Sequence, residues 1–100
     1  MAAIEVRQSD QFQDWLRRLR DDKARARVAN RIRRMELGNP GDTRQLGGGL
    51  MEMKIDYGPG YRVYFAYQRD SVVILLCGGD KRTQRRDIEK ARAMAQGLER

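Results

Sequence analysis

Residues 51–81 read MEMKIDYGPGYRVYFAYQRDSVVILLCGGDK, and the spacing of apolar side chains in this stretch decides the fold class. Apolar residues occupy every second position from Met51 to Tyr57 and again from Tyr61 to Tyr67. A period of two is typical of a β-strand with one buried face and one solvent-facing face. Gly58-Pro59-Gly60 interrupts the alternation. The stretch therefore predicts a hairpin of two antiparallel strands.

The register of this hairpin follows from its turn. If Gly58-Pro59-Gly60 forms the whole loop, Tyr57 lies opposite Tyr61. Both strands then agree on which face is buried, an agreement that a slip of one residue would destroy. The expected pairs on the solvent face are Asp56–Arg62, Lys54–Tyr64 and Glu52–Ala66.

Helical periodicity dominates the residues before the hairpin. After a short strand near Ile4–Arg7, Phe12, Trp15, Leu16 and Leu19 share one helical face, with Ser9 or Asp10 as the cap. Asp21 or Asp22 can cap a second helix, whose apolar stripe is Ala24, Val28, Ile32 and Met35. Gly38-Asn39-Pro40-Gly41 ends this helix, and residues 38–49 read as a glycine-rich loop.

The residues after the hairpin predict one more strand and one more helix. The continuously apolar run Val72–Cys77 is typical of a central strand that is covered on both faces. Thr83 can cap a last helix with a weak stripe of Ile88, Ala91, Ala95 and Leu98, beside Met94. The sequence thus predicts one α+β domain spanning residues 1–100. A small antiparallel twisted sheet packs against an N-terminal helix hairpin, a C-terminal helix follows, and the other sheet face stays partly open.

Composition restricts the possible partners. The chain has 21 Lys and Arg against 14 Asp and Glu, a formal net charge of +7, and the excess lies on the predicted helices. Such a charge favours a polyanion or an acidic protein, although it can also be a merely solvated surface. Cys77 is the single cysteine and lies in an apolar run, which predicts a buried structural thiol. No signal peptide and no membrane-spanning run is present, so we expect a cytoplasmic protein.

Five segments carry a resemblance to a known family. They are Trp15-Leu16-x-x-Leu19-Arg20, Arg31-Ile32-x-Arg34, Gly38-Asn39-x-Gly41-Asp42, Tyr57-Gly58-Pro59-Gly60-Tyr61-Arg62-Val63-Tyr64-Phe65 and Gly78-Gly79-Asp80-Lys81-x-Thr83-Gln84. Together with the element order, they resemble the RelE/ParE superfamily of bacterial toxins, and most of all its HigB-like addiction module killer proteins. The resemblance implies a RelE-like fold and the toxin of a type II toxin–antitoxin system. Many such toxins cleave messenger RNA on the ribosome, whereas ParE-like members inhibit DNA gyrase without cutting RNA.

Metal-independent RNA cleavage uses the substrate's 2′-hydroxyl as nucleophile and needs a base, cations and an acid. The chain has no histidine, so lysine, arginine, tyrosine or a carboxylate must serve. The hypothesis gives Lys54 and Lys81 proton transfer or charge stabilisation, and Arg62 the scissile phosphate. Tyr64, Gln84 and Arg82 are the predicted RNA contacts. Arg62→Ala is expected to abolish growth inhibition and leave the fold intact.

Other interpretations of the same residues stay open. Arg62 could form only an exposed ion pair with Asp56, and Lys54 could merely keep the face soluble. Asp80 is expected to cap a turn. Where several resembled ribonucleases carry a catalytic histidine or tyrosine, this chain offers Asp80, Lys81, Thr83 and Gln84, which leaves the general acid open.

Three functions therefore compete: a ribosome-associated mRNA endoribonuclease, a ParE-like gyrase inhibitor, and a non-toxic basic nucleic-acid-binding module. The last is disfavoured because the sheet lacks paired exposed aromatic residues for base stacking. The expected partners are mRNA on the ribosome and a cognate antitoxin with a helix-turn-helix domain. No metal, no cofactor and no membrane are expected.

Overall fold

The structure, a computed structural model, describes residues 3–98, so both ends of the predicted 1–100 domain lie outside the described range. Within that range, the predicted α+β class is confirmed, with five strands and three α-helices. Their order is β1 (Glu5–Gln8), α1 (Asp10–Arg18), α2 (Asp22–Glu36), β2 (Thr43–Gly47), β3 (Leu50–Ile55), β4 (Tyr61–Arg69), β5 (Val72–Gly79) and α3 (Gln84–Gly97), with a 3-10 turn at Lys81–Thr83 before α3. No helix among residues 3–98 is both long and apolar enough to cross a bilayer.

The strands form a single sheet in the order β1-β5-β4-β3-β2. β1 pairs with β5 in parallel, and every other neighbouring pair is antiparallel. The central strand is therefore β4, and the prediction that Val72–Cys77 is central is wrong. β5 is nevertheless an interior strand covered on both faces, since α1 packs on one side and α3 on the other.

Local signals set the two N-terminal helices. The Ser9 hydroxyl caps α1 by accepting a hydrogen bond from the Phe12 N–H at 3.0 Å, and Asp21 caps α2 through the N–H groups of Lys23 and Ala24. The predicted stripe of α2 is confirmed, because all four of its members are buried. α2 packs on β1 and β3, so the main core lies between the sheet and these two helices.

The sequence analysis missed β2, because residues 38–49 read as a loop. This strand is a partly exposed sheet edge of polar composition, TRQLG, and has no alternation to detect. Arg31 holds the segment before it by donating to the carbonyl oxygens of Pro40 and Asp42, and also to that of Lys54 on β3. Gly47-Gly48-Gly49, all with positive φ, turn the chain back into β3.

The β3–β4 register differs from the prediction by two residues. Lys54 lies opposite Arg62, and Glu52 lies opposite Tyr64, so all three predicted pairs of the solvent face are wrong, namely Asp56–Arg62, Lys54–Tyr64 and Glu52–Ala66. The loop between the strands runs over residues 56–60, since Tyr57 has left the strand. The Tyr57 hydroxyl donates to Asp21 at 3.0 Å, which anchors the loop to the start of α2. A shift of two residues leaves every side chain on its predicted face.

α3 covers much of the sheet face that was expected to stay open. A second apolar cluster forms there from Leu50, Tyr64, Ala66, Leu76, Cys77 and Ala91, with the other predicted stripe residues of α3 packed against it. As a result, Tyr64 is fully buried, Arg62 is 7% exposed and Glu52 is 4% exposed. Lys54, at the end of the same face, remains exposed.

Candidate active site

The open end of this face forms a cleft with a volume of about 380 Å³; because this cleft is the candidate active site, it is called here the active-site cleft. It contains three of the predicted site residues, which are Lys54, Arg62 and Gln84. The remaining lining residues are Asp42, Thr43, Arg44 and Glu52. Four elements contribute to the cleft, namely β2, β3, β4 and the first residue of α3.

Glu52 organises the base of the cleft. Its carboxylate accepts from the Gln84 side-chain amide at 3.0 Å, and lies 3.1 Å from Arg44 Nη2 and 3.8 Å from Arg62 Nε. The Glu52 side chain is only 5% exposed, so these donors are needed to offset the loss of hydration of its charge. The carboxylate therefore ties β2, β4 and α3 together around β3.

Glu52 is a site residue that the sequence analysis did not select. Its main cation, Arg44, lies directly opposite it on β2, and β2 itself had been read as loop. A strand predicted at residues 43–47 would have indicated that the Arg44 guanidinium lies beside the Glu52 carboxylate.

Arg62 and Lys54 differ in exposure, although they are direct cross-strand partners. The Arg62 side chain is 9% exposed, and its Nη1 donates to the Gly60 carbonyl oxygen at 2.7 Å. Arg62 Nε is buried and makes no hydrogen bond among the described residues. Arg62 is therefore a held guanidinium in the cleft wall, and Lys54 is an exposed ammonium of the same cleft. Like charges directly opposite each other are unfavourable, and the Glu52 carboxylate offsets this repulsion.

Tyr64 cannot contact a nucleotide in this structure. It is fully buried beneath α3, and its hydroxyl finds no hydrogen-bond partner within residues 3–98. Burial, followed by the nearby charges of Glu52 and Asp87, raises the pKa of this phenol well above its ordinary value. The prediction that Tyr64 lies on an open surface is wrong, since the C-terminal helix occupies that surface.

Lys81 and Arg82 lie outside the active-site cleft, in the exposed 3-10 turn that precedes α3. A Cβ atom built on Gly60 would lie 3.8 Å from Lys81 Cβ, which places Lys81 beside the carbonyl group that Arg62 holds. Arg82 pairs with Asp80 at 3.2 Å. Asp80 caps the turn, as predicted, by accepting from the Arg82 N–H.

Thr83 stands at the N-terminus of α3 but does not cap it with its side chain. Its hydroxyl instead donates to Asp87 Oδ2 at 2.5 Å. Thr83 and Asp87 are four residues apart and face the same side of the start of α3. Gln84 faces the other side, where its side-chain amide donates to Glu52. Within residues 3–98, no three His, Cys, Asp or Glu side chains are grouped as metal ligands would be.

Two comparisons with known proteins identify the family. Residues 14–96 match the model of the family described as Phage derived protein Gp49-like (DUF891). The chain is also 44% identical over 95 residues to an uncharacterised protein of Haemophilus influenzae, an alignment that covers 95% of this chain and 96% of that protein. The matching model is the Gp49-like one and not a RelE, ParE or HigB model. Because the match covers β2 to β5, all of α2 and parts of α1 and α3, the chain belongs to the Gp49-like family of phage-derived proteins.

Proposed function

We propose that this protein is the toxin of a type II toxin–antitoxin pair and that it cleaves messenger RNA on the ribosome. The Gp49-like family is of the RelE-like toxin type, which supports the first half of the proposal. The observation that carries the second half is the cross-strand pair of Lys54 and Arg62 in one cleft with Arg44. Three cations in one polar cleft suit the phosphate of a nucleic acid.

The differing exposure of the cations suggests an order of action. The Arg44 side chain is 60% exposed and Lys54 is also exposed, so these two groups meet the RNA backbone first. Arg62 lies deeper and is held by Gly60 and Glu52 before any substrate arrives. A donor fixed in advance stabilises developing charge without reorganising during the reaction. Arg62 therefore binds the phosphate as negative charge accumulates on it, and Glu52 positions Arg62.

The reaction that suits this arrangement is attack by the RNA's own 2′-oxygen. That oxygen forms a bond to phosphorus while its proton leaves to a base, and the bond to the 5′-oxygen breaks as that oxygen takes up a proton. Lys54 lies across from Arg62, and Lys81 lies beside Gly60 of the hairpin loop, near the point that Arg62 Nη1 also approaches. These two lysines are the proposed groups for proton transfer and charge stabilisation. The products are a 2′,3′-cyclic phosphate and a 5′-hydroxyl.

Expression of single variants followed by primer-extension mapping of cellular transcripts tests this proposal. We expect discrete new 5′ ends with the wild type and none with Lys54→Ala, because the exposed ammonium can be removed without disturbing the core. Lys23→Ala is the matched control, since it removes an exposed lysine of α2 that does not line the cleft. Cleavage that persists in Lys54→Ala would refute the assignment of this cleft.

Burial of Arg62 and Tyr64 favours one alternative, a ParE-like inhibitor that binds gyrase and cuts no RNA. In that case Arg62 and Tyr64, which were expected to contact RNA, serve to stabilise the sheet. The same mapping distinguishes the two functions, because gyrase inhibition gives DNA damage while transcripts stay intact.

The proposed partner is an antitoxin with a helix-turn-helix domain. The exposed surface of α2 carries Arg27, Arg33 and Arg34, which would complement an acidic segment of such a protein. Co-expression with the adjacent gene tests this pairing. We expect the product of that gene to restore growth and to co-purify with the toxin. Growth inhibition unaffected by that gene would exclude it as the antitoxin.

A further inference from the structure

A second cleft lies on the other side of the start of α3, between α1, the end of β5 and α3. Its volume is about 390 Å³, within the range of roughly 300–1,000 Å³ that is typical of small-molecule sites. Thr83 lines this second cleft, whereas the next residue, Gln84, lines the active-site cleft. The two clefts are therefore neighbours at the start of α3, and the exposed Lys81 and Arg82 lie in the turn just before that helix.

The second cleft contains a buried carboxylate that is not neutralised by a cation. Asp87 is 8% exposed, and the hydroxyl of Thr83 is the one side-chain donor to its carboxylate among residues 3–98. No lysine or arginine in that range pairs with it, although a buried unpaired charge is costly. The backbone is also shaped around this group, since a Cβ on Gly79 would lie 1.8 Å from Asp87 Oδ2. Such an arrangement suits a ligand that brings its own hydrogen-bond donors.

The other lining residues limit what that ligand can be. Three cations, Arg18, Arg86 and Lys90, line the same cleft together with two further carboxylates, Asp14 and Asp80, and the Trp15 indole forms an apolar wall. A ligand with only one kind of charge would therefore meet like charges, because a cation meets the three basic side chains and a simple anion meets the three carboxylates. A nucleotide satisfies both conditions, because its base presents N–H donors and its phosphate presents negative charge.

We propose that the second cleft binds one base of the RNA substrate, next to the cleavage position, and that it prefers guanine. Guanine presents two adjacent donors, N1–H and N2–H, to a single carboxylate, whereas the pairing edge of uracil presents one N–H between two carbonyl oxygens. The inference rests on the proposed function for its biological meaning. The physical claim, a nucleotide site at Asp87, can be measured without cleavage.

Trp15 supplies the measurement, because it is the chain's only tryptophan and lines the cleft. Its fluorescence is followed during titration with GMP, AMP, CMP or UMP, with excitation at the red edge of the indole band, where nucleotides are transparent. We expect a saturable change with GMP, at an affinity about tenfold higher than for UMP. Asp87→Asn should remove this preference while circular dichroism stays unchanged. A wild type with equal affinity for all four, or with no saturable change, overturns the proposal.

Exposed rim variants keep the test decisive if Asp87→Asn fails to fold. Arg86→Ala and Lys90→Ala should each weaken all four nucleotides alike, because they remove phosphate contacts and leave the base contact. Arg69→Ala, an exposed arginine at the end of β4 that lines neither cleft, is the matched control and should bind as the wild type does. Rim variants that bind like this control would refute the site.

Lys54→Ala separates this proposal from the proposed function. It should lose RNA cleavage and keep the GMP-dependent fluorescence change, since Lys54 lines only the active-site cleft. A wild type that binds GMP but cuts no RNA would refute the nuclease function and leave the nucleotide site standing. A wild type that cuts RNA with no base preference beside the cleavage position, and binds no mononucleotide, would refute the site alone.

Discussion

Replacing Arg62 with alanine should lower the free energy of unfolding as well as remove the group that is proposed to bind phosphate. The sequence alone predicts an exposed arginine whose loss spares the fold, but the Arg62 side chain is 9% exposed. Its guanidinium donates to the Gly60 carbonyl oxygen at 2.7 Å and lies 3.8 Å from the Glu52 carboxylate. Lys54→Ala, directly across the β3–β4 pair, removes an exposed cation and is the matched control.

The magnitude follows from these two contacts. A hydrogen bond from a charged donor stabilises a fold by about 1.5–3 kcal/mol. Removing one partner of a buried ion pair costs about 3–5 kcal/mol, but this separation is long and Glu52 keeps Arg44 and Gln84, so about 1 kcal/mol is reasonable. We therefore expect Arg62→Ala to lower the free energy of unfolding by about 3 kcal/mol, out of a total of about 5–15 kcal/mol. Lys54→Ala should change it by less than about 0.5 kcal/mol.

Urea unfolding followed by circular dichroism measures both variants. With a slope of about 1.5 kcal/mol/M, the Arg62→Ala midpoint should fall by about 2 M, and the melting temperature by about 12 °C or more. The loss of RNA cleavage must then be compared at a temperature where both variants are folded. If Arg62→Ala unfolds at the same urea concentration as Lys54→Ala, the guanidinium is not held as described, and the positioning role of Glu52 fails with it.

Three further outcomes are expected. Burial, helped by the charge of Asp87, raises the pKa of the Cys77 thiol to about 11, so thiol labelling near pH 8 should be at least about 100-fold slower in the native protein than in urea; similar rates would contradict this. Gly78→Ala should destabilise the fold by about 1–3 kcal/mol in urea unfolding, because its Cβ would lie 2.3 Å from the Trp15 ring, whereas Gly97→Ala, with open space, should not. Since the chain has no histidine, the proposed RNA cleavage should show no bell-shaped maximum between about pH 6 and pH 8; such a maximum would require another titrating group.

Signals that act within a few residues were predictable from the sequence. The cap of α2 at Asp21 and its stripe from Ala24 to Met35 depend only on spacings inside one helix. The alternation in β3 and β4 likewise assigned each side chain to its face. These predictions did not depend on which helices and strands pack against one another.

Signals that depend on distant contacts were not predictable. Tyr57 leaves β3 early because its hydroxyl reaches Asp21, 36 positions away, and the register then shifts by two residues. β2 has a polar sequence because it is an edge strand, held by Arg31 from α2 and by Arg92 from α3. The weak stripe of α3 was recognised, but its spacing cannot tell which sheet face the helix will cover.

The two-residue shift in the β3–β4 register changes the predicted partner of Arg62, and the new partner favours an anion site. In the predicted register Arg62 would face Asp56, and its charge would be neutralised by an ordinary surface pair. In the observed register it faces Lys54, so two cations stand side by side at an end of the sheet face that α3 leaves uncovered in the described part of the chain. Stability alone gives no reason to keep like charges opposite each other, because such pairs weaken a sheet. The Glu52 carboxylate at the base of the cleft offsets the repulsion between Lys54 and Arg62 in part. An anion bound at the mouth of the cleft, such as an RNA phosphate, would offset it further.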